Sequence, residues 1–237
     1  MKALILAAGF GTRLGKLTED KPKALVEVGG KAILDHNIKK LLNAGISEVL
    51  INTHYLADQV EDFLEEQPYR ESVTTVFEPL ILGTAGSVKA NWDFFENSDF
   101  LVMHCDNYFE SELRFILDTH MNRTAGTLMT MATFNTTSPE LCGTVLTNDA
   151  GVVVNFLEKT TESLSKRANA AIYVVSSNAK EFFFSSSPIK NDISLDVIPK
   201  LLGKIQEHFL PGDFIDIGSP TGLAQAEISH LRISQGK

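Results

Sequence analysis

Cysteine is nearly missing from this chain: only Cys105 and Cys142 occur in 237 residues. Two thiols cannot form a disulfide framework, so the fold must rest on a packed core, and both read as reduced groups in a cytoplasm. Long apolar runs are missing too, and none approaches the roughly 20 residues of a membrane span. Lys2 is followed by a short apolar stretch that flows straight into glycines, which is not the pattern of a signal peptide. Basic charge is in deficit, with 21 Lys and Arg against 30 Asp and Glu and a net charge of −9. That balance argues against a general nucleic-acid binder, whose affinity rests on neutralising phosphates. No internal repeat, heptad pattern or linker breaks the chain, so one domain over residues 1–237 is expected. Its two halves, about 1–122 and about 123–237, differ in character.

What the chain does contain is concentrated at its start. Residues 3–8 are apolar and read as a buried strand, and they lead into Gly9-Phe10-Gly11-Thr12-Arg13-Leu14. A glycine-rich turn leaving a strand offers backbone N–H groups with no side chains in the way, which suits phosphate oxygens. Arg13, Lys21 and Lys23 bring positive charge to the same mouth of an otherwise acidic protein. A Walker A loop is excluded because no Lys-Ser/Thr pair follows a second glycine at the required spacing. A dinucleotide fingerprint is excluded because Leu14 occupies the place of the third glycine.

Alternating strand-like and helix-like stretches fill the first half. Strands are expected at 2–8, 48–53, 73–77 and 100–104. Helices are expected from Ile33 to Leu42, from Leu56 to Leu64, at 83–92, and at 111–121 with Ser111 as cap. Repeated βα units of this kind imply α/β architecture: a doubly wound, mostly parallel, Rossmann-like mixed sheet that binds ligands beyond the carboxyl ends of its strands. The second half changes to strand-like stretches at 127–134, 143–148, 152–158 and 170–176, with a hairpin turn at Asn148-Asp149-Ala150-Gly151. A small antiparallel addition is expected there. A loop at Ser185-Ser186-Ser187-Pro188 and closing helices at 194–202 and 221–232 complete the reading.

Six blocks in order, G-F-G-T-R-L, K-P-K-A-L, L-G-T-A-G-S (Leu82 to Ser87), C-D-N (Cys105 to Asn107), F-L-E-K (Phe156 to Lys159) and F-I-D-I-G-S-P (Phe214 to Pro220), span nearly the whole sequence. Together they resemble the signature of sugar-1-phosphate nucleotidyltransferases, and most closely that of the short mannose-1-phosphate guanylyltransferases. The resemblance implies transfer of a nucleotidyl group from an NTP to a sugar 1-phosphate, with GTP and mannose 1-phosphate first in rank. Heptose-1-phosphate guanylyl transfer, uridylyl, thymidylyl or cytidylyl transfer, and a non-catalytic nucleotide-sugar-binding regulator are the other readings. It implies Mg²⁺ held by Asp106 and Asp216, and charge stabilisation by Arg13 and Lys23. Nucleotide contacts would come from Leu6, Ala8, Gly9, Gly11, Thr12, Gly83, Thr84 and Ala85. Sugar-phosphate contacts would come from Gly143, Glu158, Lys159 and Asn169. No nucleic-acid or membrane partner is implied, and a homo-oligomer is compatible with the family. The chain ends soon after the last block, so the C-terminal domain of some relatives is not expected.

This sequence departs from the family pattern at four places. Cys105 stands where relatives often have glycine before the first aspartate, and Thr160 replaces a proline after Glu158-Lys159. Ala171 replaces the glycine of an Asn-Ala-Gly element, and Cys142 replaces an aromatic residue before Gly143. His104, Cys105 and Cys142 match no zinc-ligand spacing, and strand alternation sends His104 and Cys105 to opposite faces. His54 and Tyr55 follow the second strand, where a place near the base and a surface role are both open.

Overall fold

The computed structural model describes residues 1–163, 165–185 and 191–235. In chain order the first elements are β1 (Lys2–Leu6), β2 (Glu27–Val28), β3 (Lys31–Ala32), α1 (Ile33–Asn43), β4 (Glu48–Thr53), α2 (Ala57–Glu65) and β5 (Val73–Phe77). There follow α3 (Thr84–Ala90), β6 (Phe100–His104), β7 (Asn107–Phe109), α4 (Arg114–Met121), β8 (Met129–Asn135), β9 (Gly143–Thr147) and β10 (Val153–Glu158). The last are β11 (Arg167–Val175), α5 (Lys180–Phe184), β12 (Ile205–Phe209), β13 (Phe214–Asp216) and α6 (Pro220–Gln235). The expected α/β architecture with a mixed sheet is what forms.

The elements group into two compact units, each drawing on separated stretches of chain. One comprises Met1–Lys2, Leu82–Met103 and Leu113–Pro211, and the other Ala3–Ile81, His104–Glu112 and Gly212–Lys237. In the second, β1, β4 and β5 are neighbours in that order, with β4 and β5 parallel from Val49 opposite Val73 to Thr53 opposite Phe77. Ala3, Leu4, Ile5, Val49 and Ile51 are buried because a strand covered on both faces carries apolar residues without alternation. Helix α1 turns Ile33, Leu34, Ile38 and Leu41 inward at helical spacing.

The first unit is built on antiparallel pairing. β11 lies against β6, β8 and β9, and β10 against β9, while β12 joins β8 in parallel. The turn between β9 and β10 closes through Gly151 N–H to Asn148 O at 2.9 Å, with Gly151 at φ 70°. A turn there was legible because glycine accepts that φ without strain.

Several expected boundaries move, each for a local reason. β1 stops at Leu6 because the Ala7 N–H leaves the ladder for the Asn52 side chain. Ser111 is not the cap of α4; that helix starts at Arg114 after Leu113, and the Ser111 carbonyl instead accepts from Lys40 Nζ at 3.2 Å. The stretch 83–92 splits into α3, with Gly83 as its N-cap, and a 3₁₀ turn at Trp92–Phe95. The helix expected at 194–202 is a π turn at Ile193–Val197 followed by a 3₁₀ turn at Ile198–Leu201. Pro199 lacks the N–H that a continuous α-helix would use there. Of the loop expected at 185–188, positions 186–188 lie outside the described residues. Five strands escaped the sequence pattern: the β2–β3 hairpin, β7 with β13, and β12.

Candidate active site

The loop after β1 is pinned from below. Ala7 N–H donates to Asn52 Oδ1 at 2.7 Å, and Asn52 Nδ2 donates to Glu78 Oε1 at 2.9 Å. Gly9 is open on the side where a Cβ would stand. Gly11 sits at φ 69°, and a Cβ there would lie 3.0 Å from the Cβ of Lys23 and 3.1 Å from Thr18. Backbone sign and crowding therefore both select glycine. Its carbonyl accepts from Leu14 N–H at 3.0 Å and Thr18 Oγ1 at 2.9 Å, which starts the 3₁₀ turn that presents Arg13. Beside this loop stands an aromatic wall. Phe10 meets His54 edge-on at 5.2 Å and Tyr55 at 6.0 Å, and His54 stacks on Phe77 at 6.2 Å. Phe10 and Phe77 remain 48% and 58% exposed, so the wall faces solvent with unused apolar area.

Four charged residues from distant parts of the sequence meet next to it. Pro22 is extended, and the 3₁₀ turn Lys23–Leu25 buries the Lys23 side chain. Lys23 Nζ pairs with Asp106 Oδ2 and lies 4.0 Å from Asp216 Oδ1, while Arg13 Nη2 donates to Asp216 Oδ2 at 3.2 Å. The two aspartates are brought side by side by strand pairing, since β7 and β13 set Asn107 opposite Asp216 and Ile217 N–H donates to the Asp106 carbonyl at 3.0 Å. Apolar neighbours of these residues share one cluster, which includes Leu14, Val26, Tyr108 and Ile217. Burying that cluster fixes the charged groups above it.

The electrostatics follow from this crowding. Burial is the largest single influence and lowers the affinity of the Lys23 amine for its proton, but Asp106 and its acidic neighbours, Asp216 included, together outweigh it and the lysine is held above its ordinary range. Burial pushes the Asp106 carboxyl up, yet the Lys23 charge, His104 and the hydrogen bond from Lys23 bring it below the usual carboxylate range. Cys105 is pushed up to about 12 by burial and then by Asp106, so it is a neutral thiol that fills space. Its carbonyl accepts from Asn37 Nδ2 at 2.9 Å. Among the described residues no group of three or more His, Cys, Asp or Glu could hold a metal by itself. Lys21 does not join the cluster; it is exposed and pairs with Glu27 at 3.0 Å.

Two glycines to which the sequence reading gave no role make room for this arrangement. A Cβ on Gly218 would lie 2.5 Å from both Arg13 Nη2 and Lys23 Nζ, and 2.7 Å from Asp216 Oδ1. A Cβ on Gly222 would collide with the Asp216 carbonyl, so glycine lets the first turn of α6 close on β13. Gly218 was visible in the last motif, but what it makes room for was not.

The first unit holds the remaining candidates. Gly83, at φ 76°, opens α3, and the N–H groups of Ala85 and Gly86 are both taken by the Asn191 carbonyl at 2.8 and 3.2 Å. Glu158 and Lys159 lie 3.7 Å apart, with Lys159 at φ 43°. Burial first, and then nearby Asp192, raise the Glu158 carboxyl above its ordinary value against the effect of Lys159. A Cβ on Gly143 would fall 2.5 Å from Glu158 Oε2 and 2.6 Å from the Phe156 ring, so only glycine fits. Asn169 accepts from Ala171 N–H at 2.9 Å and donates to the Tyr173 hydroxyl at 2.7 Å. Ala171 adopts φ 51°, the backbone shape that the replaced glycine would take.

A glycine turn beside paired carboxylates and two cations is an arrangement suited to phosphate oxygens. The comparisons agree. The family model described as nucleotidyl transferase matches residues 2–232, and the chain belongs to that family. It is 30% identical to the mannose-1-phosphate guanyltransferase of Schizosaccharomyces pombe, over 93% of this chain and 61% of the relative. It is 32% identical to the mannose-1-phosphate guanylyltransferase catalytic subunit beta of Drosophila melanogaster, over 92% of this chain and 60% of that one. Baker's yeast (Saccharomyces cerevisiae) mannose-1-phosphate guanyltransferase is 29% identical over 98% and 65%. The chain thus spans about three-fifths of the length of these relatives. In fold it matches a Bacillus anthracis protein solved with a sucrose and named as a glucose-1-phosphate thymidylyltransferase. That match has a TM-score of 0.86 and 24% identity, and covers 96% of this chain and 94% of the other.

Proposed function

We propose that this chain transfers a nucleotidyl group from an NTP to a sugar 1-phosphate, with GTP and mannose 1-phosphate as the pair. The observation that carries the reading is the meeting of Arg13, Lys23, Asp106 and Asp216 beside the glycine turn after β1. In the reaction an oxygen of the sugar phosphate attacks the α-phosphorus, the bond from that phosphorus to the β-bridging oxygen breaks, and pyrophosphate leaves with the electron pair. Arg13 and Lys23 sit where negative charge develops, and one well-placed donor is worth about 2.7–4 kcal/mol of barrier. Gly9, Gly11 and Thr12 offer backbone N–H groups to the phosphates, with Leu6 and Ala8 forming the edge of the loop. Gly83, Thr84 and Ala85 take the nucleoside. Glu158 accepts sugar hydroxyls, Lys159 meets the sugar phosphate, and Gly143 and Asn169 line the sugar.

Asp106 and Asp216 fit a magnesium ion. They are hard oxygen donors, Asp106 just before β7 and Asp216 at the end of the paired β13, and Lys23 already places one positive charge between them. Mg²⁺ is commonly held by one or two carboxylates plus substrate phosphates, not by a full protein cage. When bound it would neutralise charge on the phosphates. A cytoplasmic location is part of this reading, supported by only two cysteines and a net charge of −9.

The test is pyrophosphate release from a panel of NTPs and sugar phosphates, with and without Mg²⁺. Turnover greatest for GTP with mannose 1-phosphate supports the full reading. A heptose phosphate, UTP, dTTP or CTP giving the faster reaction reassigns the substrates. Silence across the panel, with nucleotide sugars still bound, makes the chain a regulator.

A further inference from the structure

Lys21 belongs to the same Lys-Pro-Lys segment as Lys23, yet the charged cluster beside the glycine turn does not use it. Its side chain lines a separate cavity of about 380 Å³ in the second unit. Leu25 and Glu27 of the same segment line it too, with Lys31 of β3, Phe63 of α2 and Gln67 just beyond that helix. The volume falls within the range of small-molecule sites, roughly 300–1,000 Å³. None of the residues proposed for nucleotidyl transfer lines it.

Its charges are unevenly answered. The Asp35 carboxylate on its wall is buried and satisfied, because Tyr69 O–H donates to Oδ1 at 2.7 Å and Lys39 Nζ to Oδ2 at 2.8 Å. Lys21 meets Glu27 at 3.0 Å, but both side chains are about half exposed. An exposed pair of that kind is worth only about 0–1 kcal/mol, so another anion can take the lysine at little cost. Lys31 is exposed and forms no ion pair among the described residues. Two ammonium groups therefore stand against one free carboxylate, beside the apolar surface of Leu25 and Phe63. Lysine ammoniums are compact point charges that suit a phosphate group.

The cavity is also joined to the catalytic cluster through the chain itself. Residues 19 and 20 are fastened to the α2 region, where Tyr55 O–H donates to the Glu19 carbonyl and Gln59 Nε2 to the Asp20 carbonyl at 3.0 Å. From there the segment runs through extended Pro22 into the 3₁₀ turn Lys23–Leu25, and Val26 N–H donates to the Lys23 carbonyl at 3.1 Å. Lys21, Leu25 and Glu27 line the cavity, while Lys23 between them pairs with Asp106. Whatever draws Lys21 away from Glu27 acts on the strap that carries Lys23.

We propose that this cavity is an effector site for a small organic phosphate with a ring or other apolar body. Lys31 and Lys21 hold the phosphate, Phe63 and Leu25 cover the body, and the strap from 19 to 27 passes the effect to Lys23. The binding stands by itself; the effect on rate rests on the proposed nucleotidyl transfer.

The test titrates the full chain with phenyl phosphate and follows backbone amide shifts, with inorganic phosphate and benzylamine as comparisons. Phenyl phosphate should shift the amides of Gly30, Lys31 and Gln67 saturably. Lys31→Ala should weaken this binding about tenfold, the size of one lost charge-assisted contact. Glu27→Gln, which frees Lys21, should tighten it. Inorganic phosphate, with no body for Phe63, should bind more weakly, and benzylamine, the ring with the opposite charge, should leave these amides unmoved. The site is overturned if only the amides of Gly9 and Gly11 respond, if benzylamine moves the same amides as phenyl phosphate, or if both variants bind as the wild type does. In pyrophosphate-release assays phenyl phosphate should change kcat at least twofold in the wild type and not in Lys31→Ala. The same response in both, or none in either, overturns the coupling. A wild type that turns over no substrate pair refutes the reaction instead, and the amide shifts then decide the site.

Discussion

Lys23 Nζ and the Asp106 carboxylate form an ion pair across 83 positions of sequence, with the lysine only 9% exposed. A buried pair with one partner removed leaves an uncompensated charge, at a cost of about 3–5 kcal/mol. Lys23→Met should therefore do two things. Nucleotidyl transfer should fall about 10²–10³-fold, and the melting temperature should drop by roughly 10 °C for a chain of this size. Lys23→Met combined with Asp106→Asn should recover most of the melting temperature and none of the activity. Calorimetry beside pyrophosphate release checks both halves, and an unchanged melting temperature in the single variant would contradict the burial argument.

Gly218 fails to tolerate a side chain for a reason unrelated to backbone freedom. A methyl there meets Arg13, Lys23 and Asp216 at once. Gly218→Ala should displace the cations and cost about 10²-fold in kcat/KM, the scale seen for angstrom-level misplacement. Its melting temperature should change by only a few degrees. Gly222→Ala should show the reverse emphasis, because its methyl collides with the Asp216 backbone and forces α6 off β13.

Ala171 occupies a left-handed backbone position that costs an L-residue roughly 1–2 kcal/mol. Asn169 offsets part of this by accepting the Ala171 N–H. Ala171→Gly, a return to the family pattern, should raise the melting temperature by about 2–4 °C. Thermal denaturation reads this directly, and a fall would mean that the strain is absent.

Three histidines, His120 buried and His36 and His208 half-buried, set an acid limit on stability. Burial first, then Arg123, lowers the pKa of His120, which sits between Asp99 at 3.1 Å and Thr130 at 2.8 Å; Asp99 opposes the shift. His36 and His208 are lowered by burial as well. Each therefore binds its proton more weakly in the folded chain than in the unfolded one. Their contribution is fully present above the unfolded value near 6.5 and is lost as pH falls from there through the lower folded values. Unfolding free energy measured in urea should decline below about pH 6.5, with His120→Gln reducing the slope. A flat profile from pH 7 to pH 5 would refute this.

Much of the candidate site was legible because its chemistry lives in short contiguous blocks. A glycine turn needs neighbouring glycines, and Asp106 follows its apolar strand regardless of what packs on it. The π turn at Ile193–Val197 and the short strands β7 and β13 were not legible, because three to five residues carry too little periodicity to show a pattern.

The sequence alone determined the α/β alternation, the glycine turn after β1 and the identity of the charged residues, since strand burial, glycine conformation and side-chain charge are local properties. Only the tertiary structure decided that Lys23 would stand between Asp106 and Asp216, that Lys21 would turn away to Glu27, and that Asp192 would reach Thr84. Those contacts join residues many positions apart, and they exist because a shared apolar cluster and paired strands, not local preference, fix where each side chain ends.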